Sequence, residues 1–149
     1  MELEIVTPFL LSLSKVIQQM CRKNIEYKTT IHKQMDYSSD DVIIVLGIMG
    51  DIEGSVILAF NKSIAIKIIS MMVNFEVDEI DELGRSALCE LGNMIAGNAS
   101  IVFSMKDIYV NVTIPEFLNG DQIEDSDDVD ILRIPVSVSQ EEFYLDIVV

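Results

Sequence analysis

The sequence predicts an α+β protein: an antiparallel sheet of about six strands with helices packed on one side. Its element order is helix, three strands, two helices, three strands. Two kinds of periodicity point there. Apolar residues recur at helical spacing over residues 8–21, 61–73 and 80–104, and β-branched runs occupy 41–48, 55–60 and 131–138. Turn residues separate the two kinds of segment. The order reads as two related halves, although too little identity joins them to establish an internal duplication.

The first helix starts at Thr7-Pro8, because threonine caps and proline fits the first helical position. Phe9, Leu10, Leu13, Val16, Ile17 and Met20 give its apolar face, and it ends near Cys21. Three strands follow: Tyr27–Met35, which alternates weakly, then Asp41–Ile48 and Ser55–Phe60. The last two are joined by a hairpin over Gly50–Gly54. Asn61 caps a helix through Val73 that turns Ile64, Ile68, Met71 and Met72 inward. An acidic linker, Glu76–Glu82, leads into a long helix over Ile80–Ser104, with Leu83, Ala87, Leu91, Met94, Ile95 and Val102 as its stripe. The chain closes with strands at Ile108–Ile114, Ile131–Val138 and Glu142–Val149, and with a solvated acidic loop over Asn119–Asp130.

A chain of 149 residues, half of them hydrophobic, suits one domain (1–149) around one core. Its formal net charge of −15 argues against nucleic acid and anionic membrane surfaces, whose phosphates it repels. Cys21 and Cys89 fall among apolar neighbours, which fits reduced thiols. One histidine, His32, and no CxxC spacing leave no zinc site, and the acidic loop lacks the ligand spacing of an EF-hand. The amino-terminal Glu2 and Glu4 have the wrong sign for a signal peptide, and the apolar runs at 42–50 and 64–73 are too short to span a bilayer. A cytoplasmic protein is expected.

The segment Glu90-Leu91-Gly92-Asn93-Met94-Ile95-Ala96-Gly97-Asn98-Ala99 stands out within the long helix. A three-residue step rises about 4.5 Å and leaves two side chains about 60° apart, so Glu90 and Asn93 share a face. On a wheel centred on Leu91, Ser86, Glu90, Asn93, Gly97 and Ser100 turn outward, while Asn98 turns inward to satisfy a backbone group. No lysine or arginine sits among the outward residues. Gly97 costs a helix about 1 kcal/mol relative to alanine, and local choices against the fold often mark function. On periodicity alone, the same face also reads as ordinary solvated surface, and Gly97 as a point where a strand comes close.

This segment resembles the signature of the CheX/CheC/FliY family of bacterial chemotaxis phosphatases, a glutamate and an asparagine three apart on an exposed helix, followed by a Gly-Asn-Ala stretch. A single such motif favours a CheX-type member, since CheC-type members usually carry two. Glu116-Phe-Leu-Asn119 has the same letters but lies between Pro115 and a turn signal, so it reads as coincidence. Ser100 departs from the family, which often has a basic residue there.

The resemblance implies hydrolysis of the aspartyl phosphate on a phosphorylated CheY-like receiver domain. Asn93 and Glu90 would be the catalytic residues, Asn93 positioning the attacking water and Glu90 engaging the receiver. Ser86, Gly97 and Ser100 complete the expected partner surface. The protein would need no cofactor of its own, with Mg2+ belonging to the receiver, and would form a homodimer by joining the sheets of two subunits. The alternative is a non-catalytic partner-binding or dimerisation module, like the related FliM domains.

Overall fold

The computed structural model describes residues 2–32, 35–123 and 130–148. Three helices cover one face of a single antiparallel sheet. Helix α1 spans Glu2–Cys21; the short strands β1 (Glu26–Tyr27) and β2 (Thr30–His32) follow, then the hairpin of β3 (Val42–Gly50) and β4 (Gly54–Phe60). Helices α2 (Lys62–Val73) and α3 (Glu82–Met105) come next, followed by β5 (Val110–Val112), β6 (Glu116–Asn119), β7 (Ile131–Val138) and β8 (Glu141–Val148). The sheet runs β1-β7-β8-β4-β3-β5, with β2 extending the β1 edge along β7 and β6 extending the β5 edge along β3.

The expected fold class holds, with two differences of detail along the sheet. The predicted strand 27–35 is two short pieces, both paired with β7, with residues 33–34 outside the described residues. The predicted strand 108–114 is only Val110–Val112, and pairing with β3 resumes at Glu116–Asn119 after a gap. Pro115 explains the gap, because it has no N–H to give to the ladder. The eight strands thus reflect two broken edges, not extra layers. In β6, Glu116 and Asn119 belong to a strand, where residues three apart face opposite ways, so the repeated letters there form no second motif. Of the predicted acidic loop, Asn119 closes β6, Gly120–Gln122 form a 3-10 turn, and 124–129 lie outside the described residues.

Helix α1 begins six residues before Pro8, not at it. Burial of Ile5 and Val6 in the core outweighs the hydrogen bond the proline removes. Asn61 caps α2 as predicted, its Oδ1 accepting from Ile64 N at 3.0 Å. Asp81 caps α3 in the same way, accepting from Gly84 N at 3.0 Å.

The core lies between the helices and Val42, Ile44, Leu46, Val56, Leu58, Val136, Phe143 and Leu145 of the sheet. The opposite sheet face carries a small cluster, Ile43, Ile57 and Ala59, partly covered by Tyr37, Leu118 and Tyr144. There Asp146 is fully buried and receives a bidentate pair from Arg133 (Nε 2.9 Å, Nη2 2.8 Å) and the Tyr37 hydroxyl at 2.6 Å. Arg133 also stacks over the Tyr144 ring at 4.1 Å. Burial alone would lower the pKa of Arg133, but its bonds to Asp146 carry it higher.

Candidate functional site

Helix α3 is held between α1 and α2 on one side and β3, β5 and β6 on the other. Its buried residues are Gly84, Leu88, Leu91, Gly92, Ile95, Ala96, Ala99 and Phe103. The core line is therefore rotated from the wheel centred on Leu91. Ala87, Met94, Asn98 and Val102 are half-buried, and Leu83 is exposed. The closest packing is set by small residues, which bring the helix backbone down onto its neighbours. A Cβ at Gly92 would stand 3.1 Å from Ile44 Cγ2 and 3.2 Å from the Pro115 ring, and one at Gly84 would stand 3.1 Å from Ile69 Cδ1. Searching for bulky apolar side chains alone misses that line.

Ser86, Glu90, Asn93 and Gly97 all lie on the exposed side. Among the described residues, neither Glu90 nor Asn93 has a hydrogen bond or ion pair. Their polar atoms are free for a partner. Ser100 is different. It is half-buried, and its hydroxyl donates to Ala96 O at 2.9 Å, so it sits at the margin of the face. Asn98 is half-buried and donates from Nδ2 to Met94 O at 2.8 Å, so its amide serves the helix backbone.

Among the described residues, Gly97 has no packing reason. A Cβ there would meet nothing within 4 Å, and its backbone needs no positive φ. Close approach of a strand is therefore not what keeps this position small. Cys89 is half-buried beside Glu90, and burial raises the pKa of its thiol, which disfavours the thiolate. A cavity of about 440 Å³ is lined by Asp40, Lys62, Glu79, Arg85 and Phe117 among others, and includes neither Glu90 nor Asn93. Arg85 lies 5.1 Å above the Phe117 ring in that cleft. The Glu90–Asn93 surface is a helix face and not a hollow, a form suited to a macromolecule more than to a small ligand. Among the described residues, no group of three or more His, Cys, Asp or Glu side chains could hold a metal ion.

Residues 42–137, which contain all of α3, match the family model described as chemotaxis phosphatase CheX. A CheY-P phosphatase CheX from Thermotoga maritima is 36% identical over 115 residues, covering 76% of this chain and 72% of that protein. The chain belongs to the CheX family. Among solved structures, a CheC-like superfamily protein from Shewanella superposes with a TM-score of 0.84 at 25% identity, covering 99% of this chain and 98% of the other. A CheX in a CheX–CheY–BeF3–Mg2+ complex from Borrelia burgdorferi has a TM-score of 0.75 at 27% identity, covering 97% and 96%. A FliM in complex with SpeE from H. pylori shares the CheX fold at 14% identity, which speaks to fold alone.

The structure thus brings together four of the five residues read from the sequence as the partner surface and puts Ser100 at its margin. Three exposed apolar residues were not read as surface: Leu83 and Ile101 on α3, and Ile114 on the segment between β5 and β6. Leu83 was assigned to the core stripe, and the wheel phase set by Leu88 and Phe103 would have corrected it.

Proposed function

We propose that this chain hydrolyses the aspartyl phosphate of a phosphorylated CheY-like receiver domain, with Asn93 positioning the attacking water. One observation carries the reading: Glu90 and Asn93 stand exposed on one helix face with their polar atoms unused among the described residues. An acyl phosphate is already activated, so what remains to be supplied is chiefly position and charge stabilisation. The receiver brings its own Mg2+, and this chain needs to hold none. The Asn93 amide can both accept from and donate to a water without titrating, and thereby fix it in line with phosphorus. Glu90 engages a cation of the receiver, the lysine beside the phosphoryl group, and so sets the register of the two proteins. Gly97, one turn beyond Asn93, leaves the helix low enough for the receiver to approach closely.

The membership of the family and the relative named a CheY-P phosphatase support the activity. The FliM likeness is a likeness of fold and does not favour a non-catalytic module. Among the described residues, no helix is long and apolar enough to cross a membrane; action on a receiver in the cytoplasm is part of the proposal. The same reading includes a homodimer through a sheet edge, for which the β1–β2 and β5–β6 edges are the candidates; sedimentation of the free chain as a monomer would remove it.

The test is the decay of a phosphorylated receiver with catalytic amounts of this chain. The parent protein should accelerate phosphate release, and Asn93→Ala should lose that acceleration while keeping its circular dichroism and melting profile. Full activity in Asn93→Ala would end the assignment.

A further inference from the structure

Helix α3 carries more apolar surface than its own fold buries. Leu88, Ile95 and Phe103 face the core, yet Leu83 and Ile101, turned away from them, stay 51% and 62% exposed. These two residues are 18 apart in the chain, which is about five whole turns, so they stand on a single line of the helix. Glu90 lies between them, about 20° off that line. Gly97 is about 40° off it and Asn93 about 80°, both on the same side as Glu90. The exposed side of α3 thus has an order along its length: an apolar side chain at each end, and the carboxylate, the amide and a glycine in the middle.

A single exposed apolar residue on a helix is ordinary. Two on one line, bracketing a polar pair whose bonding capacity is unspent among the described residues, form a pattern. Distance then decides what covers them. The midpoint of Glu90 and Asn93 is about 13 Å along the axis from Leu83 and about 14 Å from Ile101. A standard interface of about 800 Å² per partner is about 32 Å across if circular, so a domain centred on the pair reaches about 16 Å each way. The protein that covers Glu90 and Asn93 therefore overlies both apolar residues, and no second protein can share them while it is seated.

We propose that Leu83 and Ile101 are the two apolar contacts that hold the receiver domain along α3, one at each end of the Glu90–Asn93 pair. This rests on the function proposed above and adds to it where affinity comes from and what the receiver must present. Its matching surface is apolar at two points about 27 Å apart, on either side of the phosphoryl group. Both contacts are already displayed on one helix, which lowers the ordering cost of binding. In this division the polar pair orients and reacts, and the two aliphatic side chains hold.

The test uses the full chain and two readouts. One is the Kd for a CheY-like receiver loaded with BeF3 and Mg2+, which needs no turnover; the other is kcat with the phosphorylated receiver at saturation. Leu83→Gln combined with Ile101→Gln keeps good helix formers at both positions. It should weaken binding about tenfold, at low and at high salt alike, with kcat within about twofold of the parent. Tyr27→Gln removes another exposed apolar residue from the opposite edge of the sheet and should change neither constant. An unchanged Kd in the double variant overturns the proposal, as does an equal loss in Tyr27→Gln or a loss that vanishes at high salt. If the double variant instead dissociates a dimer and leaves Kd unchanged, the occupant is a second copy and the proposal fails. Asn93→Ala in the same series keeps the two readings apart. Retained kcat there, beside a weakened Kd in the double variant, would sink the catalytic role and leave the docking role standing; lost kcat there, beside an unchanged Kd in the double variant, would do the opposite.

Discussion

Two polar groups of this molecule look alike in the sequence and have opposite fates in the fold. On α3, Glu90 and Asn93 are exposed and unpaired among the described residues. On the far face of the sheet, Arg133, Asp146 and Tyr37 are packed together with Asp146 fully covered and every short contact between them used. Both sets are charged or polar residues placed among apolar neighbours. What separates them is whether the hydrogen-bonding capacity is spent inside the chain. The sheet cluster ties β7 to β8 and fastens the segment before β3, and its chemistry is finished when folding is finished. The capacity of the helix pair is not spent among the described residues.

The largest effect should come from breaking the closed set. Asp146→Ala strands the Arg133 guanidinium, which is mostly buried, without its carboxylate. Loss of one partner from a buried pair costs about 3–5 kcal/mol, so a denaturant midpoint should fall sharply. The folded fraction should still act on the receiver with unchanged kcat. A paired replacement, Arg133→Met with Asp146→Leu, should recover much of the loss, since the pair is costly to bury and only its half is worse. A loss of kcat in the folded Asp146→Ala protein would blur the distinction between the two regions.

Asn93→Ala should do the reverse. The acceleration of phosphate release should fall by about a hundredfold or more, because misplacing a reacting water by about an ångström is enough. Stability should stay within about 0.5 kcal/mol, the range of surface substitutions that break no contact. Glu90→Ala should be milder and should act on binding: KM for the phosphorylated receiver up about tenfold, the scale of one lost charge-assisted contact. That rise should shrink at high salt, where the contact is already screened. A Glu90→Ala enzyme whose KM and salt response match the parent would remove this residue from the site.

The sequence made the contrast only half visible. Helical spacing, the Asn61 cap and the β-branched runs were strong local signals, and the helices, the hairpin and the last two strands followed from them. The Glu90–Asn93 face was legible because it is a property of one helix. The Asp146 cluster was not legible, because it joins residues 37, 133 and 146, and only strand register puts them together. The edge formed by β5 and β6 was obscured by a proline that ends one ladder and allows another to begin. Ile114 escaped notice for the same reason. Its exposure depends on where Pro115 and Thr113 are pinned, and on Gly92, whose closeness to Pro115 is a tertiary fact. The core line of α3 was displaced because glycine and alanine, not leucine, mark the closest contact.

The finest way to separate the two regions is Gly97→Ala. The described residues permit the methyl group, since none lies within 4 Å of it and the backbone is already helical. Alanine is favoured over glycine in a helix by about 1 kcal/mol, so the variant should melt about 2–4 °C higher. If the chain alone decided this position, that gain would come without loss. A receiver seated against the helix one turn beyond Asn93 would instead meet the added methyl, and KM should rise by a few-fold while kcat changes little. The sign of the two effects is therefore opposite, whereas a purely structural glycine would move stability and activity together. A more stable protein with the parent's KM would show that no partner comes close at Gly97, and that the low relief of this face is an accident of the helix and not part of the docking surface.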